Sequence, residues 1–262
     1  MVVLPASIWA IIPMFRVFLS CCIDIASKSK VSFKCCQGGT KVTTATGKTL
    51  MEIYNLLFSA LGPQNWWPAE TELEMMVGAV LTQTTSWNNV ERAIQNLKER
   101  DLLSVSKLSQ IPASTLAECI RPAGYYNVKA RRLKNLIKLI EDKYSGDTKG
   151  LFSFDTDTIR KELLSVKGIG METADSIVLY GAGRPLFVVD AYTHRILTRH
   201  ELIDEEAGYY DLQAFFMDNL PLDVELFKEF HALIVKTGKD FCRRDPLCSS
   251  CPLNMLRTEE YD

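Results

Sequence analysis

A single carboxylate, Asp190, stands between a short apolar segment and the start of a predicted helix. Upstream, the turn Gly168-Ile169-Gly170 joins two predicted helices. Glycine adopts positive φ at little cost and leaves room for a partner to approach the backbone. Such a turn can present its amide groups to a phosphate, helped by the positive N-terminal end of the next helix. Residues 163–199 therefore predict a nucleic-acid-binding site, and Asp190 is the group placed to react with the bound nucleic acid.

Three of the four tryptophans, Trp66, Trp67 and Trp87, lie near Gln83 in the sequence. Aromatic faces attract a flat cation by stacking and by cation–π interaction, which contributes about 0.5–2 kcal/mol per face. A single tryptophan is more often a core or interface residue. The alternatives for this group are therefore a stacking site for a base and ordinary hydrophobic packing.

The cysteines indicate a metal site rather than disulfide bonds. Eight are present, as two adjacent pairs, a single Cys119 and a C-terminal cluster of Cys242, Cys248 and Cys251. Close spacing of this kind is typical of metal ligands. Zinc fits poorly, because three ligands without a well-spaced histidine make a weak structural site.

Helical periodicity, which would position these groups, is nearly continuous from Thr49 onward. Prolines, glycines and capping residues separate the periodic segments. Predicted helices span 50–61, 71–81, 90–97, 115–120, 128–140, 159–164, 172–180, 191–198, 209–219 and 224–236. The strongest β character is at residues 186–189, and no hairpin pair of strands is evident. The pattern predicts an all-α fold of about ten helices.

Residues 1–47 differ from the rest of the chain. Residues 2–25 are apolar but lack a basic start and contain two prolines, and residues 27–48 have the composition of a linker. We expect a poorly ordered or artefactual leader, translated from upstream of a true start near Met51. A membrane anchor is the alternative, and no membrane partner is expected.

The net charge of −2 shows no basic excess, so any DNA-binding face must be local. The basic run at residues 129–138 is one candidate, and a solvated helix face is its alternative.

The order of these parts resembles the helix-hairpin-helix DNA glycosylases of the endonuclease III superfamily. The hairpin at residues 166–170 is followed by a helix and then by Asp190, and the resemblance covers most of residues 50–252. It implies two helical subdomains with the active site in the cleft between them. Residues 48–262 would form the core, with about 70–183 carrying the hairpin. Residues 48–69 plus 184–262 would form the second subdomain.

The resemblance also implies roles for individual residues. Asp190 would be the catalytic carboxylate, and Gln83 would fill the gap left by a flipped base, with a helix-end amide bonded to backbone as its alternative. His231 is interpreted as a packing residue. Contacts to DNA phosphates are expected from Lys167, Gly168, Ile169, Gly170, Thr173, His194 and Arg195.

One position departs from the bifunctional members of the family. Their lysine, two residues after the second glycine, forms a Schiff base with the sugar and leads to strand cleavage. Glu172 stands at that position, and a carboxylate cannot form a Schiff base. The resemblance therefore implies base removal without lyase action, with Asp190 stabilising the sugar and orienting the attacking water.

The segment Trp66-Trp67-Pro68, with Trp87 four residues after Gln83, resembles the 3-methyladenine glycosylase branch. Together with Glu172 these residues would form the base pocket. Alkylated purines are cationic and leave readily, and Glu172 would add a negative wall. We expect a monomeric, cytoplasmic, nucleoid-associated glycosylase that removes alkylated purines from double-stranded DNA in base excision repair. The alternatives are an endonuclease III-like enzyme for oxidised or mismatched pyrimidines with weak lyase activity, and a non-catalytic DNA-binding module.

Family members often hold a [4Fe-4S] cluster with four cysteines near the C-terminus. The position of the fourth is Arg257, so the three thiolates would leave one iron without a protein ligand. The resemblance thus implies a cluster that this sequence does not complete, and a small apolar loop is the alternative.

Overall fold

The computed structural model describes residue 42 and residues 44–256. Most of the predicted leader, and Arg257, lie outside the described residues. The first helix begins at Ala45, where the Thr44 hydroxyl accepts a hydrogen bond of 2.9 Å from the Gly47 amide. Among the described residues, helical structure thus begins slightly before residue 48.

The described residues form twelve α-helices and no strand, which confirms the prediction of an all-α fold. Met171–Ser176 continues as a π-helical turn over Ile177–Gly181, and short 3-10 turns lie near the C-terminus. The helices are α1 Ala45–Leu61, α2 Glu72–Leu81, α3 Trp87–Glu99, α4 Val105–Gln110, α5 Ala113–Cys119, α6 Tyr126–Tyr144, α7 Thr148–Phe152, α8 Thr156–Leu164, α9 Met171–Ser176, α10 Ala191–Arg199, α11 Tyr209–Met217 and α12 Val224–Asp240.

All ten predicted helices are present, and two more, α4 and α7, were not predicted. Each of these is fewer than two full turns long, so neither shows a complete hydrophobic period. Residues 186–189 form no strand despite their β character. Phe187 and Val188 are instead buried in an extended connection between helices.

Two hydrophobic cores divide the helices. The first is formed by buried residues between Leu73 and Val178, and the second by residues of α1 together with residues from Leu179 to Leu253. The segment from α9 through its π-helical turn passes from one core into the other. Tyr180, in that turn, packs against both cores.

A buried carboxylate, Asp175 on α9, connects three helices. It accepts hydrogen bonds from Arg160 on α8 (2.6 and 3.2 Å) and, on α11, from the hydroxyl of Tyr209 (2.8 Å) and the amide of Gln213 (2.7 Å). Four donors satisfy a charge that would otherwise be costly to bury. This network fixes the hairpin helix between the two cores.

Among residue 42 and residues 44–256, no helix combines the length and apolarity needed to cross a bilayer.

Candidate active site

The hairpin turn lies between α8 and α9, and its two glycines differ in backbone conformation and in the space around them. Gly168 has φ +101°, and a Cβ there would overlap the Arg132 side chain, so the turn requires glycine. Ile169 is buried in the first core and anchors the turn. Gly170 has no atom within 4 Å of a Cβ built on it. The backbone after Ile169 is therefore open to a partner, as a phosphate-binding turn requires.

Gln83, which follows α2, is bonded to the hairpin. Its amide nitrogen donates to the Thr173 hydroxyl (2.9 Å) and to the Gly168 carbonyl (3.3 Å), and its amide oxygen accepts from Arg132. Lys167 is exposed, and its backbone carbonyl accepts from Asn135 (2.9 Å). The structure thus brings Gln83, Thr173 and the hairpin together, and the Gln83 amide spans them.

Asp190 caps the N-terminus of α10. Its Oδ1 accepts from the amide (2.7 Å) and the hydroxyl (2.9 Å) of Thr193. Its Oδ2 lies 3.8 Å from Nε2 of His231 on α12. The cap holds one oxygen in place, and the other faces a nearly buried histidine.

His231, interpreted from the sequence as a packing residue, is buried and lies next to Asp190. Nδ1 lies 2.8 Å from the Tyr180 hydroxyl, and that hydroxyl donates to the Lys228 carbonyl (3.0 Å). Burial lowers the pKa of His231, and Lys239 lowers it further, while Asp190 acts in the opposite direction. The only sequence signal for its position beside Asp190 was a lone histidine among the apolar residues of α12, which also marks many structural histidines.

Glu172, at the start of α9, lies beside Asp190. The residue is exposed, but neighbouring protein atoms remove part of its carboxyl group from water. Partial removal from water, together with the negative charge of Asp190, raises the pKa of Glu172 to about 7. This side chain therefore changes charge near neutral pH.

The three tryptophans form one cluster, and Trp67 contacts Tyr180. The ring centroids of Trp66 and Trp87 are 4.4 Å apart, those of Trp66 and Trp67 are 5.0 Å apart, and those of Trp67 and Trp87 are 5.3 Å apart. Trp67 lies 5.5 Å from Tyr180, which in turn contacts His231. Pro68 is exposed next to the cluster. A continuous aromatic path thus runs from the tryptophans to the neighbourhood of Asp190.

Two predicted phosphate contacts have other partners. Arg195 donates to the carbonyls of Cys242 (2.7 Å) and Gly238 (2.9 Å), and so fixes the end of α12 against α10. A ring nitrogen of His194 lies 2.9 Å from the Glu205 carbonyl. Neither residue is bonded to the hairpin.

Cys242, Cys248 and Cys251 line one cavity of about 240 Å³ next to α10. Burial, and then the two neighbouring cysteines, raise the pKa of Cys251. Within residue 42 and residues 44–256, no group of three or more His, Cys, Asp or Glu side chains is arranged to hold a metal ion. The [4Fe-4S] cluster that the resemblance implies stays a prediction.

Comparison with known proteins agrees with this arrangement. The sequence pattern of the HhH-GPD superfamily of base excision DNA repair proteins matches residues 77–221, more than half of the chain. A protein of Methanocaldococcus jannaschii that is named as a DNA repair glycosylase is 52% identical over 206 residues, covering 78% of this chain and 93% of the relative.

Two solved structures have the same fold. The H. pylori 3-methyladenine DNA glycosylase MagIII, bound to 1,N6-ethenoadenine, is 32% identical, with a TM-score of 0.64 over 74% of this chain and 97% of that one. A trapped endonuclease III–DNA covalent intermediate has a TM-score of 0.70 at 23% identity, over 81% of this chain and 96% of that one. The chain therefore belongs to the HhH-GPD superfamily of base excision DNA repair proteins, as an endonuclease III-like DNA glycosylase.

Proposed function

We propose that this glycosylase removes alkylated purines such as 3-methyladenine from double-stranded DNA by hydrolysis, without cleaving the strand. One observation carries the proposal. Asp190 shares its site with Glu172 and is connected through His231 and Tyr180 to the tryptophan cluster. The site thus combines a carboxylate for the sugar, a second carboxylate and aromatic rings for a base.

Cleavage of the glycosidic bond of an alkylated purine does not need an acid to protonate the leaving base. The damaged nucleotide turns out of the helix, and the bond between C1′ and the base nitrogen breaks with an oxocarbenium-like sugar. The Asp190 carboxylate stabilises that positive charge. An alkylated purine carries a positive charge already, so it takes the bonding electron pair and leaves as a neutral base.

The aromatic cluster supports the choice of an alkylated base. A flat cation is attracted to an aromatic face by about 0.5–2 kcal/mol, and Trp66, Trp67 and Trp87 supply several such faces close together. The 32% identity with MagIII, whose solved structure contains 1,N6-ethenoadenine, supports the same class of substrate.

The first test measures which base is released. Duplexes with 3-methyladenine, ethenoadenine, or an oxidised or mismatched pyrimidine are incubated with the enzyme, and free bases are separated by chromatography. We expect release of the alkylated purines, and a fall of at least about 100-fold in Asp190→Asn. Asp218→Asn is the matched control, because it makes the same change at an exposed aspartate that follows α11.

Other outcomes would contradict the proposal in distinct ways. Release of pyrimidines alone would favour an endonuclease III-like specificity. DNA binding without release of any base would favour a non-catalytic binding module. Full activity of Asp190→Asn would show that another residue performs the chemistry.

A second test addresses lyase action. We expect that borohydride traps no covalent adduct between the wild type and damaged DNA, because Glu172 has no amine. Glu172→Lys places an amine beside Asp190, and we expect it to form a trapped adduct. An adduct with the wild type would contradict hydrolysis without lyase action, and Lys239→Gln would then show whether Lys239 is the amine.

A further inference from the structure

We propose that His231 acts with Asp190 to hold the attacking water, and that Tyr180 is the positioning residue that orients His231 for this role. The inference rests on the proposed function, because it concerns the water that hydrolysis consumes. It assigns a catalytic role to a histidine on α12, which is far from Asp190 in the sequence.

The hydrogen bonds around Tyr180 determine which nitrogen of His231 carries the proton. The phenol has one proton, and it donates that proton to the Lys228 carbonyl, which can only accept. The contact of 2.8 Å between the phenol oxygen and Nδ1 is then a hydrogen bond only if Nδ1 carries the imidazole proton. Of the two neutral tautomers, only this one satisfies both contacts, and its Nε2 presents a lone pair.

That lone pair faces Asp190 at a distance which suits a shared water. Nε2 and Oδ2 are 3.8 Å apart, too far for a direct hydrogen bond, and polar groups at such a separation are commonly bridged by water. Oδ1 already accepts twice from Thr193. The two facing atoms are therefore both acceptors, held in place by separate helices.

The charge state of the surrounding groups agrees with this arrangement. Burial lowers the pKa of His231, which keeps the imidazole neutral at neutral pH. Burial, with the charges of Asp190 and Glu229, raises the pKa of Tyr180, so the phenol keeps its proton. A neutral, oriented imidazole can accept a proton, whereas a protonated one cannot.

A water between these two acceptors donates one hydrogen to each, which leaves its own lone pair available for C1′. The C1′–O bond forms as the C1′–N bond breaks, and the electron pair of the broken bond stays on the base. A cationic purine becomes neutral in this step. One water proton passes to Nε2 and then to solvent, so the reaction releases one proton.

The test uses whichever base the wild type releases and measures the single-turnover rate. His231→Phe keeps the ring shape but removes both nitrogens, and we expect the rate to fall about 100-fold. Binding to a duplex with an abasic-site analogue should stay within about twofold, because the phosphate contacts are unchanged. His231→Gln retains an acceptor near the place of Nε2, and we expect it to be about tenfold faster than His231→Phe.

A double-mutant cycle separates positioning from packing. Tyr180→Phe alone should lower the rate about tenfold without changing KM, because the imidazole loses its fixed tautomer. Added to His231→Phe, it should cause no further loss. Wild-type rates in His231→Phe, or losses that add in the double variant, would overturn this inference. Failure of the wild type to release any base would instead overturn the proposed function.

Discussion

The carboxylates of Glu172 and Asp190 interact electrostatically. Partial burial disfavours the ionised form of the Glu172 carboxyl, and the negative charge of Asp190 disfavours it further. Together these two effects raise the pKa of Glu172 to about 7. At neutral pH Glu172 is therefore present in both charge states.

The two states of Glu172 predict opposite pH dependences for two substrates. Ionised Glu172 attracts a cationic base, so release of 3-methyladenine should increase as pH rises through about 7. Protonated Glu172 can donate to a neutral base, so release of ethenoadenine should decrease over the same range. The measurement is kcat/KM against pH for both duplexes.

Glu172→Gln is the control for this prediction, because it keeps the side-chain shape and does not titrate. Both changes near pH 7 should disappear in this variant. Parallel pH profiles for the two substrates in the wild type would show that another group is responsible.

At the scale of elements, the hairpin depends on helices that are distant in the sequence. Gly168 lies against Arg132 of α6, and Gln83 after α2 bonds to both Arg132 and the turn. The Gly-Ile-Gly pattern indicated the turn, because positive φ favours glycine locally. The partners of Gln83 depended on how α2, α6 and α9 pack, which no local pattern encodes.

Two glycine substitutions test whether Gly168 is needed for stability and Gly170 for access of the phosphate to the backbone. Gly168→Ala meets both positive φ and the Arg132 side chain, so we expect a loss of about 1–3 kcal/mol in the free energy of unfolding. At Gly170 the φ angle is −93°, and a Cβ would have no atom within 4 Å, so alanine fits there. It should leave stability within about 0.5 kcal/mol but weaken DNA binding about tenfold, because a methyl group obstructs the phosphate.

Urea denaturation and fluorescence anisotropy with labelled duplex measure the two effects. Equal DNA affinity of Gly170→Ala and the wild type would place the phosphate elsewhere.

The Asp175 network predicts a large stability effect away from the chemistry. Asp175→Ala leaves the guanidinium of Arg160 without its buried partner, and we expect a loss of about 3–5 kcal/mol in the free energy of unfolding. The exposed pair of Lys138 and Asp142 is the matched control, because Asp142→Ala should cost at most about 1 kcal/mol. Urea denaturation measures the free energy of unfolding of both variants. Similar losses would contradict the expectation that the buried ion pair contributes more stability than the exposed one.

At the scale of the molecule, the site lies where the two hydrophobic cores meet. Tyr180 packs against both cores and contacts Trp67 on one side and His231 on the other. Residues from before α2, from the turn after α9, and from α10 and α12 thus converge on one region. A substrate base held there would contact both halves of the protein.

The sequence alone determined the features that depend on local physics. Helical periodicity, caps and glycine turns predicted the all-α fold, ten of the twelve described helices and the hairpin turn, whereas the roles of Asp190 and Glu172 are implied by the family resemblance. Only the tertiary structure showed that His231 lies beside Asp190 and that partial burial raises the pKa of Glu172. It also showed that Arg195 donates to the carbonyl of Cys242, just after α12. Distances and burial between separate helices depend on the packing of whole cores, and a single sequence does not display them.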